Sequence, residues 1–146
     1  LSAARSQIFN EVLAARVERD AWDRPLDGEI WSLAGSRSWF GPEPWSEALA
    51  ARLAAGDIHP SGPLWGEGEP PTRAAAYELE LAVAGQHADL VAGLAGARME
   101  QERRPLRLLP KQLTWRWLAP DALELAFELP AGAYATVVVR ELAQVA

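Results

Sequence analysis

Leu106–Leu129, LRLLPKQLTWRWLAPDALELAFEL, is the stretch on which the fold reading turns. Leu106, Leu108, Trp115, Trp117, Leu123, Leu125, Phe127 and Leu129 alternate with mostly polar neighbours. A period of two puts one set of side chains on one face, so this is the pattern of strands in a one-sided sheet. Ala119-Pro120-Asp121 supplies the turn between the last two strands. The sequence before Pro110 is dominated by helical spacing, so the class is α+β. The change of period near Pro110 marks the boundary between a segment 1–109 and a segment 110–146.

Directly downstream lies Leu129–Glu141, LPAGAYATVVVRE. Pro130 and Gly132 set up a bend, and Tyr134 falls where the chain turns into a helix carrying Thr136, Arg140 and Glu141. An aromatic ring on a rigid strand-to-helix junction suits stacking on a flat ligand. The competing reading is a tyrosine that closes the sheet end by packing.

Upstream, Ser2 to about Arg19 reads as a helix: Ile8/Val12 and Phe9/Leu13/Val17 recur at four-residue spacing, and Ser2 is placed to cap the start. Arg5, Ser6 and Asn10 lie on its other faces. Glu29–Phe40, EIWSLAGSRSWF, reads as a hairpin turning at Ala34-Gly35-Ser36, and Pro44–Ala55 as a second helix stopped by Gly56. Asp57–Pro71 is rich in Pro and Gly and predicts a long irregular loop. Its Gly66-Glu67-Gly68-Glu69 lacks the lysine of a phosphate loop and is acidic. Thr72–Ala84 and Gln86–Ala97 read as helices parted by Gly85, and Met99–Pro105 as a polar, basic connection.

With 146 residues, 49% of them hydrophobic, the chain can bury a core. Its longest uncharged run, Leu129–Val139, is far short of the ~20 apolar residues of a membrane span, so the expectation is a soluble chain without a membrane partner. There is no Cys, which removes disulfides and thiolate chemistry and fits a reducing compartment. The two histidines, His59 and His87, share no helical face or zinc-type spacing, so no metal centre is expected and both read as loop or surface residues.

The net charge of −6 argues at first against nucleic acid. Its distribution argues otherwise. Eight acids face only Arg52 and Arg73 between Glu43 and Asp89, which is the whole excess, while Arg98–Lys111 carries five bases against Glu100 and Glu102. Trp31, Trp39, Trp115 and Trp117 sit on strand patterns and read mainly as core, whereas Trp65 in the Gly/Pro loop is the one candidate for an exposed stacking surface. No Ser-His-Asp or Cys-His arrangement can be assembled.

Four stretches occurring in order, SAARSQIFN (Ser2–Asn10), HPSGPLWG (His59–Gly66), MEQERRPLRLLP (Met99–Pro110) and LPAGAYATVVVRE, resemble the TruD-type tRNA pseudouridine synthases over essentially the whole chain. The resemblance implies an enzyme that isomerises a uridine in the tRNA D arm, position thirteen in bacterial members, to pseudouridine without cofactor or metal. The implied setting is a cytoplasmic protein, monomeric at full length, with tRNA as partner. It further implies that 1–109 is most of an inserted α/β domain, and 110–146 the last strand pair and helix of the catalytic domain. The family's catalytic Asp has no counterpart here and is expected upstream, so this chain alone is expected to be inactive.

By residue, the resemblance makes Tyr134 a wall of the uridine pocket and Arg140 and Glu141 a pair that fixes the following helix. Arg5, Ser6, Asn10, Arg103, Arg104 and Arg107 become candidates for contact with the tRNA backbone. A non-catalytic RNA- or protein-binding module is the alternative function. With part of its catalytic sheet absent, the chain is expected to show disorder or a borrowed strand near Leu113–Leu129.

Overall fold

The computed structural model describes residues 1–143; the last three residues of the 110–146 segment lie outside the described residues. The chain forms two compact units, Leu1–Arg107 and Leu108–Ala146.

The first unit runs α1 (Ser2–Glu18), β1 (Trp31–Leu33), β2 (Trp39–Phe40), α2 (Glu47–Ala54), β3 (Ile58–Leu64), α3 (Ala74–Gly85), α4 (Ala88–Gly96) and β4 (Glu102–Pro105). Its four strands form an antiparallel sheet in the order β2-β1-β3-β4. The predicted hairpin is present, with Trp31 opposite Phe40. Ser2 does not cap α1; it is the first helical residue, and the cap position falls on Leu1 with no side-chain hydrogen bond. The second helix begins at Glu47 rather than at Pro44, because Ser46 Oγ accepts from the Leu49 N–H at 3.2 Å and so satisfies an otherwise unpaired donor.

The main departure from the sequence reading is Asp57–Pro71. Half of this expected loop is β3, one of the two inner strands of the sheet, and every residue from Ile58 to Pro63 is buried. Neighbouring side chains of a strand point to opposite faces, so both faces of β3 are covered. Pro60 is tolerated because its carbonyl meets the residue just past β4: the Leu106 N–H donates to Pro60 O at 2.9 Å, half of a reciprocal pair that proline cannot return. Gly62 is required by packing. A Cβ there would come within 2.9 Å of both Phe9 Cε2 and Leu106 Cδ2, so the missing side chain lets α1 seat its phenyl ring on the strand. Met99–Pro105, read as a connection, supplies β4, whereas Leu106 and Leu108 lie beyond its end.

Two apolar clusters hold this unit. Ile8 and Val12 of α1 pack with Trp65, Leu79, Val83, Ala84 and Leu94, while Trp31, Leu49 and Ile58 form the second cluster. Trp65 is therefore core, not an exposed stacking surface. His59 likewise is buried on β3 rather than placed in a loop.

The second unit is a hairpin, β5 (Lys111–Ala119) and β6 (Ala122–Glu128), followed by α5 (Ala135–Leu142). Trp115 stands opposite Leu125 and Trp117 opposite Leu123, with Arg116 and Glu124 paired on the other face at 2.6 Å. The alternation is as read from the sequence, and a register shift falls between Lys111 and Thr114, where Gln112 takes φ +50°. Burial differs from the expectation: Trp115 and Trp117 are 65% and 61% exposed. A two-strand ribbon has one neighbour per strand and little area to bury large rings, so both indoles stay largely exposed. The stretch forms a hairpin, and among the described residues no third strand joins it.

Candidate nucleic-acid interface

In the second unit the path into α5 positions one aromatic. After β6 the chain turns through Pro130–Ala133, where Gly132 takes φ +87°, a left-handed value that side chains disfavour, and the Ala133 N–H donates to Pro130 O at 3.1 Å. Tyr134 then occupies the N-cap of α5 with extended backbone (φ −109°), and its carbonyl accepts from the Val137 N–H at 3.1 Å. The backbone at Tyr134 is thus held, while its side chain is 72% exposed and its hydroxyl has no hydrogen-bond partner among the described residues. The ring does not plug the end of this ribbon; it presents a flat face and a phenol to solvent. Arg140 and Glu141 are both exposed, and among the described residues neither takes part in an ion pair, so the expected helix-fixing pair is not formed.

In the first unit the six candidate RNA contacts separate by burial. Arg103 is removed from the set. Its guanidinium, 1% exposed, forks onto the Glu80 carboxylate with Nη2–Oε1 2.7 Å and Nη1–Oε2 3.0 Å, and donates to Ser61 O at 2.7 Å and to Ser61 Oγ at 3.0 Å. Thr72 Oγ1 donates to Glu80 Oε2 at 3.0 Å and Ser61 Oγ to Ile30 O at 2.6 Å. This network joins β3, β4, α3 and the residue just before β1, and its burial keeps a phosphate from reaching it.

Arg5 is also engaged: Nη2 donates to Leu64 O and Glu100 O, each at 2.8 Å, and lies 3.0 Å from Glu102 Oε2. It fastens α1 to the end of β3 and the start of β4. Arg107 donates from Nη2 to Leu53 O at 2.7 Å and Ile58 O at 3.1 Å, and from Nε to His59 Nδ1 at 2.9 Å. Only a neutral imidazole can accept that bond. Burial first, and then the Arg107 charge, hold His59 below the usual histidine range.

Arg104, Asn10 and Ser6 remain. Arg104 is exposed on β4 with its guanidinium carbon 5.2 Å from the centre of the Phe9 ring, an arrangement that rests the charge on an aromatic face and leaves donors for solvent or phosphate. Asn10, next to Phe9, is exposed, and Ser6 is half-buried one turn earlier on α1.

Three interactions had no signal in the sequence. Arg16 of α1 is buried against Glu29, Nη2–Oε2 2.7 Å, and also donates to Ala21 O and Arg24 O. Burial raises the Glu29 carboxyl above its ordinary range, opposed by Arg16. His87, at the N-cap of α4, bonds Glu11 of α1 through Nε2, and that hydrogen bond lowers the Glu11 carboxyl. The third is the Glu80–Arg103 fork. Among the described residues no cluster of three or more His, Cys, Asp or Glu is placed to hold a metal ion, and no helix is long and apolar enough to cross a membrane.

The family model for tRNA pseudouridine synthase D (TruD) matches residues 1–142. A tRNA pseudouridine synthase D from Xanthomonas campestris pv. campestris (strain 8004) is 58% identical over 147 residues, 99% of this chain and 40% of that protein. One from Pseudomonas aeruginosa (strain LESB58) is 51% identical over 144 residues, 97% of this chain and 40% of that protein. The chain therefore spans about 40% of the length of these relatives. The crystal structure of a candidate tRNA pseudouridine synthase D from Methanosarcina mazei superposes with a TM-score of 0.69 at 24% identity, covering 94% of this chain and 36% of that one, a likeness of fold. With a family match over 142 residues and relatives at more than half identity along its whole length, the chain belongs to the TruD family of tRNA pseudouridine synthases.

Proposed function

We propose that the protein carrying this chain converts a uridine of the tRNA D arm, at position thirteen, to pseudouridine, and that this chain supplies one wall of the uridine pocket through Tyr134. The reading is supported most by the family match running unbroken through 1–142 and so including the Tyr134 turn. On this account 1–109 is most of an inserted domain and 110–146 the end of the catalytic domain. The reaction cuts the glycosidic bond, turns the base and joins C5 to the ribose. The acid that attacks the substrate lies upstream of this chain, which alone is inactive.

The chemistry expected of Tyr134 follows from its exposure. A target base must leave its stack, at a cost of a few kcal/mol, and an aromatic face can return ~1–3 kcal/mol of it. A held backbone beneath a free ring provides that face without ordering the chain at the moment of binding. Arg104 and Asn10, with Ser6 beside them, are the proposed contacts to the tRNA backbone, where phosphate contacts position the substrate rather than read its sequence. Arg5 and Arg107 contribute by holding α1, β3 and the chain after β4 in place, and not by touching RNA. The complete protein is proposed to act as a cytoplasmic monomer, with no cofactor.

The test is direct. The complete protein is incubated with unmodified tRNA whose uridines carry tritium at C5, and label release and the modified position are read. Release confined to one D-arm uridine is expected. A protein that binds tRNA but releases no label would overturn the enzyme reading in favour of a binding module.

A further inference from the structure

Tyr134 stands at a position whose local chemistry favours another residue type. At a helix N-cap, Ser, Thr, Asp or Asn bonds the unpaired N–H groups of the first turn. The start of α5 has no side-chain cap, and its first turn carries no acidic residue. Helix stability therefore does not account for an aromatic there, and no capping bond holds the entry of the chain into α5.

The entry is held by the turn before it. The Ala133 N–H donates to Pro130 O at 3.1 Å, and of the two central residues, Ala131 and Gly132, only Gly132 has a positive φ, +87°. A four-residue turn with its one positive φ at the third place is type II, and that place takes Gly or Asn. A Cβ added at Gly132 would meet no atom within 4 Å. The demand at Gly132 is thus one of backbone conformation and not of space, the reverse of Gly62, where a methyl would strike Phe9 and Leu106.

Two residues later comes Tyr134, with its ring largely exposed, so packing does little to set the direction in which the ring points. The path of the backbone sets it instead. A turn that left the type II geometry would swing Tyr134 and the start of α5 together.

We propose that Gly132 is a positioning residue for Tyr134, its left-handed turn aiming the aromatic ring at the place a flipped uridine occupies. The inference rests on the reading of Tyr134 as a wall of the uridine pocket. The left-handed region disfavours an L side chain by about 5- to 30-fold. With no cap to hold α5, Gly132→Ala relieves that strain by leaving the type II turn, and the fraction of protein with the ring in place falls accordingly.

Single-turnover conversion of tRNA uridine and tRNA affinity are measured separately on the complete protein carrying Gly132→Ala, Gly132→Asn, Tyr134→Ala, or Gly132→Ala with Tyr134→Ala. Gly35→Ala is the control, since it places the same strain (φ +73°, no atom within 4 Å) in the hairpin turn of the first unit. The rate is expected to fall by about 5- to 30-fold in Gly132→Ala with tRNA affinity kept. Gly132→Asn, which tolerates the left-handed turn, should recover most of the rate, and Gly35→Ala should lose stability in thermal melts but no rate. On the Tyr134→Ala background, Gly132→Ala should cost nothing further. A Gly132→Ala protein at the wild-type rate, beside a slow Tyr134→Ala, overturns the positioning role and leaves the pocket reading intact. A Tyr134→Ala protein at the wild-type rate overturns both. A further loss in the double variant, or Gly132→Asn as slow as Gly132→Ala, also overturns the proposal, because Gly132 would then act other than by aiming Tyr134.

Discussion

Arg103 and Arg104 are neighbours on one short strand, and the structure assigns them opposite fates. Arg103→Ala removes the partner of a carboxylate that is itself 2% exposed, along with four hydrogen bonds to Glu80 and Ser61. Breaking a buried pair by deleting one side costs about 3–5 kcal/mol, because a charge is left in the interior with too few partners. Here Glu80 keeps only the Thr72 hydroxyl. In a unit of roughly this size 1 kcal/mol moves the midpoint by ~4–8 °C, so a fall of more than ~10 °C is expected.

Arg104→Gln loses an exposed charge over the Phe9 ring, worth ~0.5–1 kcal/mol, and leaves the fold intact. Its effect should be on tRNA. The slope of log affinity against log salt should shrink by about one for a lost phosphate contact. Urea denaturation and a salt series of tRNA binding on both variants separate the two readings. An Arg103→Ala protein that keeps its stability to within ~1 kcal/mol while its salt slope falls would refute the burial argument, since its guanidinium would then face RNA. The pair Arg103→Met with Glu80→Met should recover most of the stability, because a buried ion pair replaced as a whole by apolar groups is often neutral or better.

Other outcomes follow from the same geometry. Gly62→Ala should destabilise by roughly 1–3 kcal/mol, measured by denaturant titration, because its methyl would overlap Phe9 and Leu106, which have little room to move. His59 is held below its ordinary value of 6.5, so the folded state binds fewer protons there than the unfolded state. Its contribution to stability is present above pH 6.5 and is lost as pH falls through the lowered value. His59→Asn, which cannot titrate, should flatten that part of the stability profile in thermal melts at pH 5 to 8. Trp115→Thr with Trp117→Thr should reduce dye binding and aggregation of this chain alone, and should destabilise the complete protein, where the proposed catalytic sheet covers that face.

The periodic elements were legible in the sequence because each is set by its own neighbours. Ile8, Phe9 and Val12 recur at helical spacing and are buried on α1, and Trp115 and Trp117 alternate with Arg116 on β5 as a ribbon requires. What could not be read was decided by partners far along the chain. Pro60, Gly62 and Pro63 look like loop residues, yet they form an inner strand because Leu106 asks Pro60 only for its carbonyl and Phe9 needs the space at Gly62. Arg103 looks like a free base until Glu80 is placed against it, and Arg5 until Leu64 and Glu100 offer their carbonyls. Charge count cannot register that kind of pairing. Tyr134 stands at the strand-to-helix junction that its sequence predicts, because Pro130 and Gly132 mark the turn locally.

The central claim is that this chain contributes an aromatic wall to a uridine pocket whose attacking acid lies elsewhere in the protein. It is tested most directly by single-turnover conversion of tRNA uridine by the complete protein carrying Tyr134→Phe or Tyr134→Ala. Stacking worth ~1–3 kcal/mol predicts that Phe keeps the rate while Ala lowers it by roughly 5- to 150-fold with the fold unchanged. A Tyr134→Ala protein that converts tRNA at the wild-type rate would contradict the account.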